Sequence, residues 1–296
     1  MSSTIDKLIK TLDESPFKFN NRLPAIEKKI LDELLLLLKE LQTGKDGRIV
    51  SNIANLKLVN SIRLKLEKLV VSKEYVRDLA EFARSFNTAA LYVSSYYQGI
   101  FDNFNKKPYY ESITKTAIDN AINSLTKVGI NANVAEPIQK MLMTAVTSSQ
   151  SYSSLAETLL KTIKGSDGKP GMLSKYVSTY TTTALSIATR QYMAAIHRDL
   201  GIKWFKYLGS NIETTREFCL CMTKKKWVHE SEFETIISGD IDGHQVEMYN
   251  GLPRGMIAGT NATNFEVNLG GWNCRHGLYG VSDSMVPDDV KSRIKQ

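Results

Sequence analysis

Apolar residues recur at three- and four-residue spacing through the first two thirds of the chain, the period of helices that each bury one face. Leu23, Ile26, Ile30, Leu34, Leu37, Leu38 and Leu41 trace one such stripe, and it predicts a long helix that stops at Thr43-Gly44-Lys45-Asp46-Gly47, where two glycines permit a positive φ. Leu34–Leu38 is apolar around much of the helix circumference, which predicts packing on several sides. Further helices are expected over 52–71 and 73–104, with Ser72 as the cap between them and Lys106-Lys107-Pro108 ending the second. Tyr92, Tyr96, Tyr97, Phe101 and Phe104 fall mostly along one side of that second helix, as packing residues. Two more helices, 110–128 and 133–148, are expected on either side of Gly129-Ile130-Asn131. Ser153 or Ser154 then opens a shorter one, with Glu157 placed for a capping box.

The stretch Lys164-Gly165-Ser166-Asp167-Gly168-Lys169-Pro170-Gly171 has almost nothing to bury and reads as a boundary. Beyond it, Met172–Leu200 predicts one more long helix, with alanines that let another helix approach closely. After Gly201 the helical period stops. Lys203–Leu208 is short, aromatic and strand-like, and glycines become dense up to Gly280. The expected fold is therefore mainly α: a long-helix N-terminal body over 1–170, followed by a small, loop-rich and glycine-rich α+β domain over 171–296.

With 296 residues, 42% of them hydrophobic and 23% charged, the chain can bury a substantial core. The N-terminal segment MSSTIDKLIK lacks the apolar core of a secretory signal, and Leu34–Leu38 is far shorter than the roughly 20 residues of a membrane span, so no membrane is expected as a partner. The net charge of +7 resides in the first 200 residues, densest at Lys57, Arg63, Lys65, Lys68, Lys73, Arg77 and Arg84. These cations read chiefly as a solvated helix face, because the run from Lys57 to Lys73 carries no aromatic residue for base stacking. Nucleic acid or an acidic protein surface is nevertheless a permitted partner. Three cysteines are too few for a disulfide framework and suit a reducing cytoplasm.

Candidate chemistry concentrates in two segments, Thr214–Cys221 and Gly270–His276. Cys219, Cys221, Cys274 and His276 offer the thiolates and imidazole that Zn²⁺ prefers. Both ligand pairs, however, have one intervening residue where zinc knuckles usually have two, so a packed cysteine pair, a disulfide formed after release from the cell, and unconnected buried thiols stand beside zinc. A Cys274–His276 thiol catalyst lacks a recognisable orienting residue in the sequence. A His-Asn-His nuclease fragment lacks its metal-binding histidine pair. No phosphate-binding loop, dinucleotide glycine motif or HExxH occurs. The expectation is a protein that is not an enzyme, with no small-molecule substrate and no cofactor other than that zinc.

The helix leading into Gly-Ile-Lys-Trp-Phe-Lys-Tyr, then Thr-Thr-Arg-Glu-Phe-Cys, a glycine-rich loop and a closing Gly-Gly-Trp-Asn-Cys-Arg-His resembles the phage Mu F-like head morphogenesis family over about residues 172–282. Arg216, Cys219, Cys274, Arg275 and His276 carry the resemblance, and Cys221 is an additional thiol. The resemblance implies a structural minor head protein of a tailed bacteriophage, assembled in the bacterial host cytoplasm and sitting in the virion head near the portal vertex. Its implied partners are the portal or the major capsid protein. Arg216 and Arg275 are expected to be structural, each forking to backbone carbonyls or a carboxylate. The rival expectation is a nucleic-acid-binding protein or a His-Asn-His-like nuclease.

Overall fold

A computed structural model describes residues 2–294, leaving Met1, Lys295 and Gln296 outside the described part. The chain is mainly helical, 66% helix and 10% strand, with long helices first and small sheets and loops after them. Its segments group into two compact units: Met1–Pro16, Arg84–Ile118 and Thr179–Gln296 form one, while Phe17–Ala83 and Asp119–Ser178 form the other. Among the described residues, no helix is long and apolar enough to cross a membrane.

The helices are α1 (Ser2–Asn20), α2 (Leu23–Glu40), α3 (Ile53–Val70), α4 (Lys73–Gln98), α5 (Pro108–Thr126), the single turn α6 (Val128–Ile130), α7 (Glu136–Thr147), α8 (Tyr152–Lys164) and α9 (Met172–Leu200). In the 17–83 and 119–178 unit, α2 packs on α8 and α3, and α3 packs on α7. The α2 stripe is buried as its spacing predicts, and Leu31 joins it, so the leucine-rich stretch is covered on more than one side. Each leucine fully buried there contributes about 1.5–3 kcal/mol. Asn52 caps α3 by accepting from Asn55 N, and the buried Asn55 amide donates to Gln42 O and Val50 O, closing the turn that ends α2. Ser72 caps α4, accepting from Tyr75 N at 3.3 Å.

Several expected boundaries are corrected. Helix α4 ends at Gln98, not 104, because the chain turns at Gly99, whose N–H reaches back to Ser95 and Tyr96. Pro108 begins α5 instead of merely ending its predecessor, consistent with its lack of an N–H that the first turn could use. Gly129 does not break the chain: α6 continues through a π-helical stretch, Asn131–Ala135, into α7. A side chain at Gly129 would overlap the Tyr176 hydroxyl and the Ser124 carbonyl, so the glycine serves close approach. The cap of α8 is Ser151, accepting from Ser154 N, and Glu157 is paired with Lys161 at 2.6 Å. Helix α1 carries Pro16 inside it. The glycine-rich stretch after α8 is a short hairpin, β1 (Gly165–Ser166) with β2 (Lys169–Pro170), within the unit that holds α8.

In the other unit β3 (Trp204–Leu208) is followed by α10 (Glu217–Lys225), β4 (Trp227–His229) and α11 (Phe233–Ile237). Two minimal hairpins come next, β5 (Asp240–Ile241) with β6 (His244–Gln245) and β7 (Met248–Tyr249) with β8 (Leu252–Pro253). They lead to α12 (Phe265–Asn268), β9 (Gly277–Val281) and α13 (Asp288–Ile294). An antiparallel sheet of order β4-β3-β9 centres on β3, with Phe205 opposite Val228 on one side and Gly280 on the other. All five β9 residues are buried. Trp204, Val281, Val286 and Val290 pack together where α13 meets the sheet.

Candidate functional site

Strand β3 and helix α10 deliver one half of the site, and the loop from Leu269 to His276 delivers the other. Cys219 lies in the first turn of α10 and is buried. The facing loop folds tightly, with Gly271 N donating to Asn268 O, Cys274 N to Gly271 O, and Leu269 and Asn273 in the positive-φ region. Asn273 N donates to Thr183 Oγ1 at 3.0 Å, which ties the loop to α9. Arg216 clamps both halves: Nη1 donates to Gly270 O and Nη2 to Trp272 O, each at 2.6 Å. Gly270 has no room for a side chain, since a Cβ there would stand 2.6 Å from Cys219 Sγ and 3.0 Å from Cys274 Sγ.

Cys219, Cys274 and His276 come together, all three buried, with their ligand atoms within 4.8 Å of one another. The two Sγ atoms are 4.0 Å apart, and His276 Nδ1 is 3.9 Å from Cys274 Sγ. Cys221 does not join them. Two residues along a helix turn a side chain by about 200°, and Cys221 is half-buried away from the cluster, so the expected four-ligand set reduces to three. The Cys219 thiol, in contact with Cys274 and buried, is pushed up from the usual thiol range.

His276 is oriented by residues that carried no signal in the sequence. Its Nε2 faces Asn211 Oδ1 at 3.1 Å, and since that oxygen only accepts, Nε2 carries the proton and Nδ1 presents its lone pair to the sulfurs. Tyr207 stacks on the imidazole with ring centroids 5.0 Å apart. The expectation that no third residue orients His276 is therefore corrected. The Cys274, His276 and Asn211 sequence has the connectivity of a thiol catalyst, but Cys274 is only 3% exposed and a nucleophile must be reached by its substrate. Arg275 points elsewhere, donating from Nη1 to Asp13 Oδ1 at 3.3 Å.

A second buried network escaped the sequence reading. His197 bonds through Nδ1 to Glu266 and through Nε2 to the Tyr97 hydroxyl. The carboxylate accepts from Nδ1, so Nε2 accepts the hydrogen bond that the Tyr97 hydroxyl donates. Gly280 N in turn donates to Tyr97 Oη at 3.0 Å, and Tyr96 Oη donates to Gly280 O at 3.0 Å. Burial holds Tyr97 protonated well above its ordinary range. The aromatic side of α4 thus packs, as expected, and also secures the backbone of β9. No spacing rule links Tyr97, His197 and Glu266 across so much chain.

The basic residues of α3 and the first half of α4 are exposed or half-exposed, and Arg63 and Arg77 have carboxylate neighbours in Glu67 and Asp78. No protein-family model, no curated protein and no solved structure matches this chain.

Proposed function

We propose that the chain is a structural minor head protein of a tailed bacteriophage, of the Mu F-like kind, that assembles at the portal vertex in the host cytoplasm and remains in the virion head. One observation carries this reading. The two segments that bear the resemblance, some fifty residues apart, meet as a single built element, with Arg216 bridging to Gly270 and Trp272 and Cys219 against Cys274 and His276. In this role both arginines act within the fold, Arg216 on carbonyls and Arg275 on Asp13, and the partner is the portal or the major capsid protein. The exposed cations of α3 and α4 are compatible with packaged DNA nearby.

The test is quantitative mass spectrometry of purified particles and of proheads from the encoding phage, normalised to the major capsid protein. A few copies to a few tens per particle are expected, together with cross-links to the portal or major capsid protein. Absence from both particles and proheads would overturn the reading.

A further inference from the structure

The buried cluster holds three lone-pair donors around a common point, and its surroundings are arranged for a ligand. Tetrahedral zinc, with Zn–S near 2.3 Å and Zn–N near 2.0–2.1 Å, sets its sulfurs about 3.8 Å apart and sulfur from nitrogen about 3.6 Å apart. Two of the three separations here, 4.0 Å for the two sulfurs and 3.9 Å for Cys274 Sγ and His276 Nδ1, require only a slight contraction, and all three ligand atoms lie within 4.8 Å of one another. A disulfide would require the sulfurs to close to about 2.05 Å. Asn211 fixes the tautomer that frees Nδ1, the supporting contact that metal-bound histidines characteristically have. Beside the cluster, Tyr207 Oη has no partner other than the Cys219 thiol it lies against, and the buried Arg190, whose charge acts on Cys274, leaves Nη2 without a hydrogen bond. A buried guanidinium N–H ordinarily has a partner, so Arg190 Nη2 points to a missing one.

We infer that Cys219 Sγ, Cys274 Sγ and His276 Nδ1 form a zinc site with three protein ligands, that Cys221 is not a ligand, and that a water-derived group completes the coordination. Zinc with two thiolates is electrically neutral, and a hydroxide in the fourth position would balance Arg190. The metal would join α10 to the 269–276 loop, the same junction that Arg216 clamps. This inference rests on the cluster geometry and holds whether or not the chain is a head protein.

The full-length chain, purified under reducing conditions and stripped with chelator, is titrated with Co²⁺ alone and then with Zn²⁺. One equivalent of Co²⁺ is expected to give the strong visible bands of a four-coordinate site and sulfur-to-cobalt charge transfer, both erased by one equivalent of Zn²⁺. C221S should behave as the parent, whereas C219S and C274S should lose the charge-transfer intensity. Because those two variants could unfold, N211A supplies an independent reading: a folded protein with metal affinity weakened about 10–100-fold. A parent chain that takes up no Co²⁺, or a C221S variant as impaired as C219S, overturns the assignment. So does a Cys219–Cys274 disulfide in the reduced, freshly purified protein, or rapid alkylation of Cys274 in the folded, metal-loaded state.

Discussion

At the scale of single residues, burial separates cysteines that composition treats alike. Cys219 and Cys274 are enclosed and Cys221 is half-exposed, so an excess of a thiol reagent should label one cysteine in the native protein and all three only after unfolding. Peptide mapping should place the early label on Cys221, and early labelling of Cys274 would contradict the enclosure. Arg216 makes two charge-assisted hydrogen bonds to carbonyls of the facing loop, each of a kind that contributes about 1.5–3 kcal/mol. Arg216→Ala should lower stability by roughly 2–4 kcal/mol in denaturant unfolding, and Arg216→Lys should recover little, because an ammonium cannot fork. Asp199 offers a test in pH. Tyr109 and Tyr110 hydroxyls donate to it and Lys107 lies 3.0 Å away, holding its pKa at about 2. The folded-state value lies below the unfolded one, so the stabilisation is complete above about pH 4 and is lost as pH falls through about 2. The difference in urea midpoint between the parent and Asp199→Asn should follow that course, and a difference independent of pH would show that the carboxylate charge is not what matters.

At the scale of elements, helix identity was legible because apolar periodicity is a local consequence of burying one face. Met172–Leu200 matches its predicted bounds, and the α2 stripe is buried as written in the sequence. Ends and joints were less legible, because they depend on what packs nearby. Gly129 looked like punctuation and is instead the point where Tyr176 and the Ser124 carbonyl approach a continuing helix. Gly129→Ala should therefore destabilise by about 1–3 kcal/mol, the usual effect of overfilling a packed site, although alanine is the better helix former. A neutral or stabilising result in thermal unfolding would refute the packing account. Ser151 in place of Ser153 or Ser154 as the α8 cap has a similar origin: the bridge between Arg48 and Ser151 sets where the chain becomes helical.

At the scale of the whole molecule, the compact units combine segments that are far apart in the chain, and the cluster belongs to one that includes Arg84–Ile118 as well as Thr179–Gln296. Tyr96 and Tyr97, from the first of these segments, hold Gly280 in the second. Residues 171–296 produced alone lack those partners and should show no cooperative thermal transition by circular dichroism. A sharp transition like that of the full chain would mean that the α4 tyrosines are dispensable. The sequence by itself determined the mainly helical class, the change of texture after Gly201 and the two segments in which chemistry gathers, because each is written in local spacing and residue type. Only the tertiary structure decided that Cys221 stands apart, that Asn211 and Tyr207 orient His276, and that Tyr97, His197 and Glu266 form one network. Those relations depend on which side chains the folded backbone brings within a few ångströms, and chain separations of up to 169 residues leave no periodic trace of them.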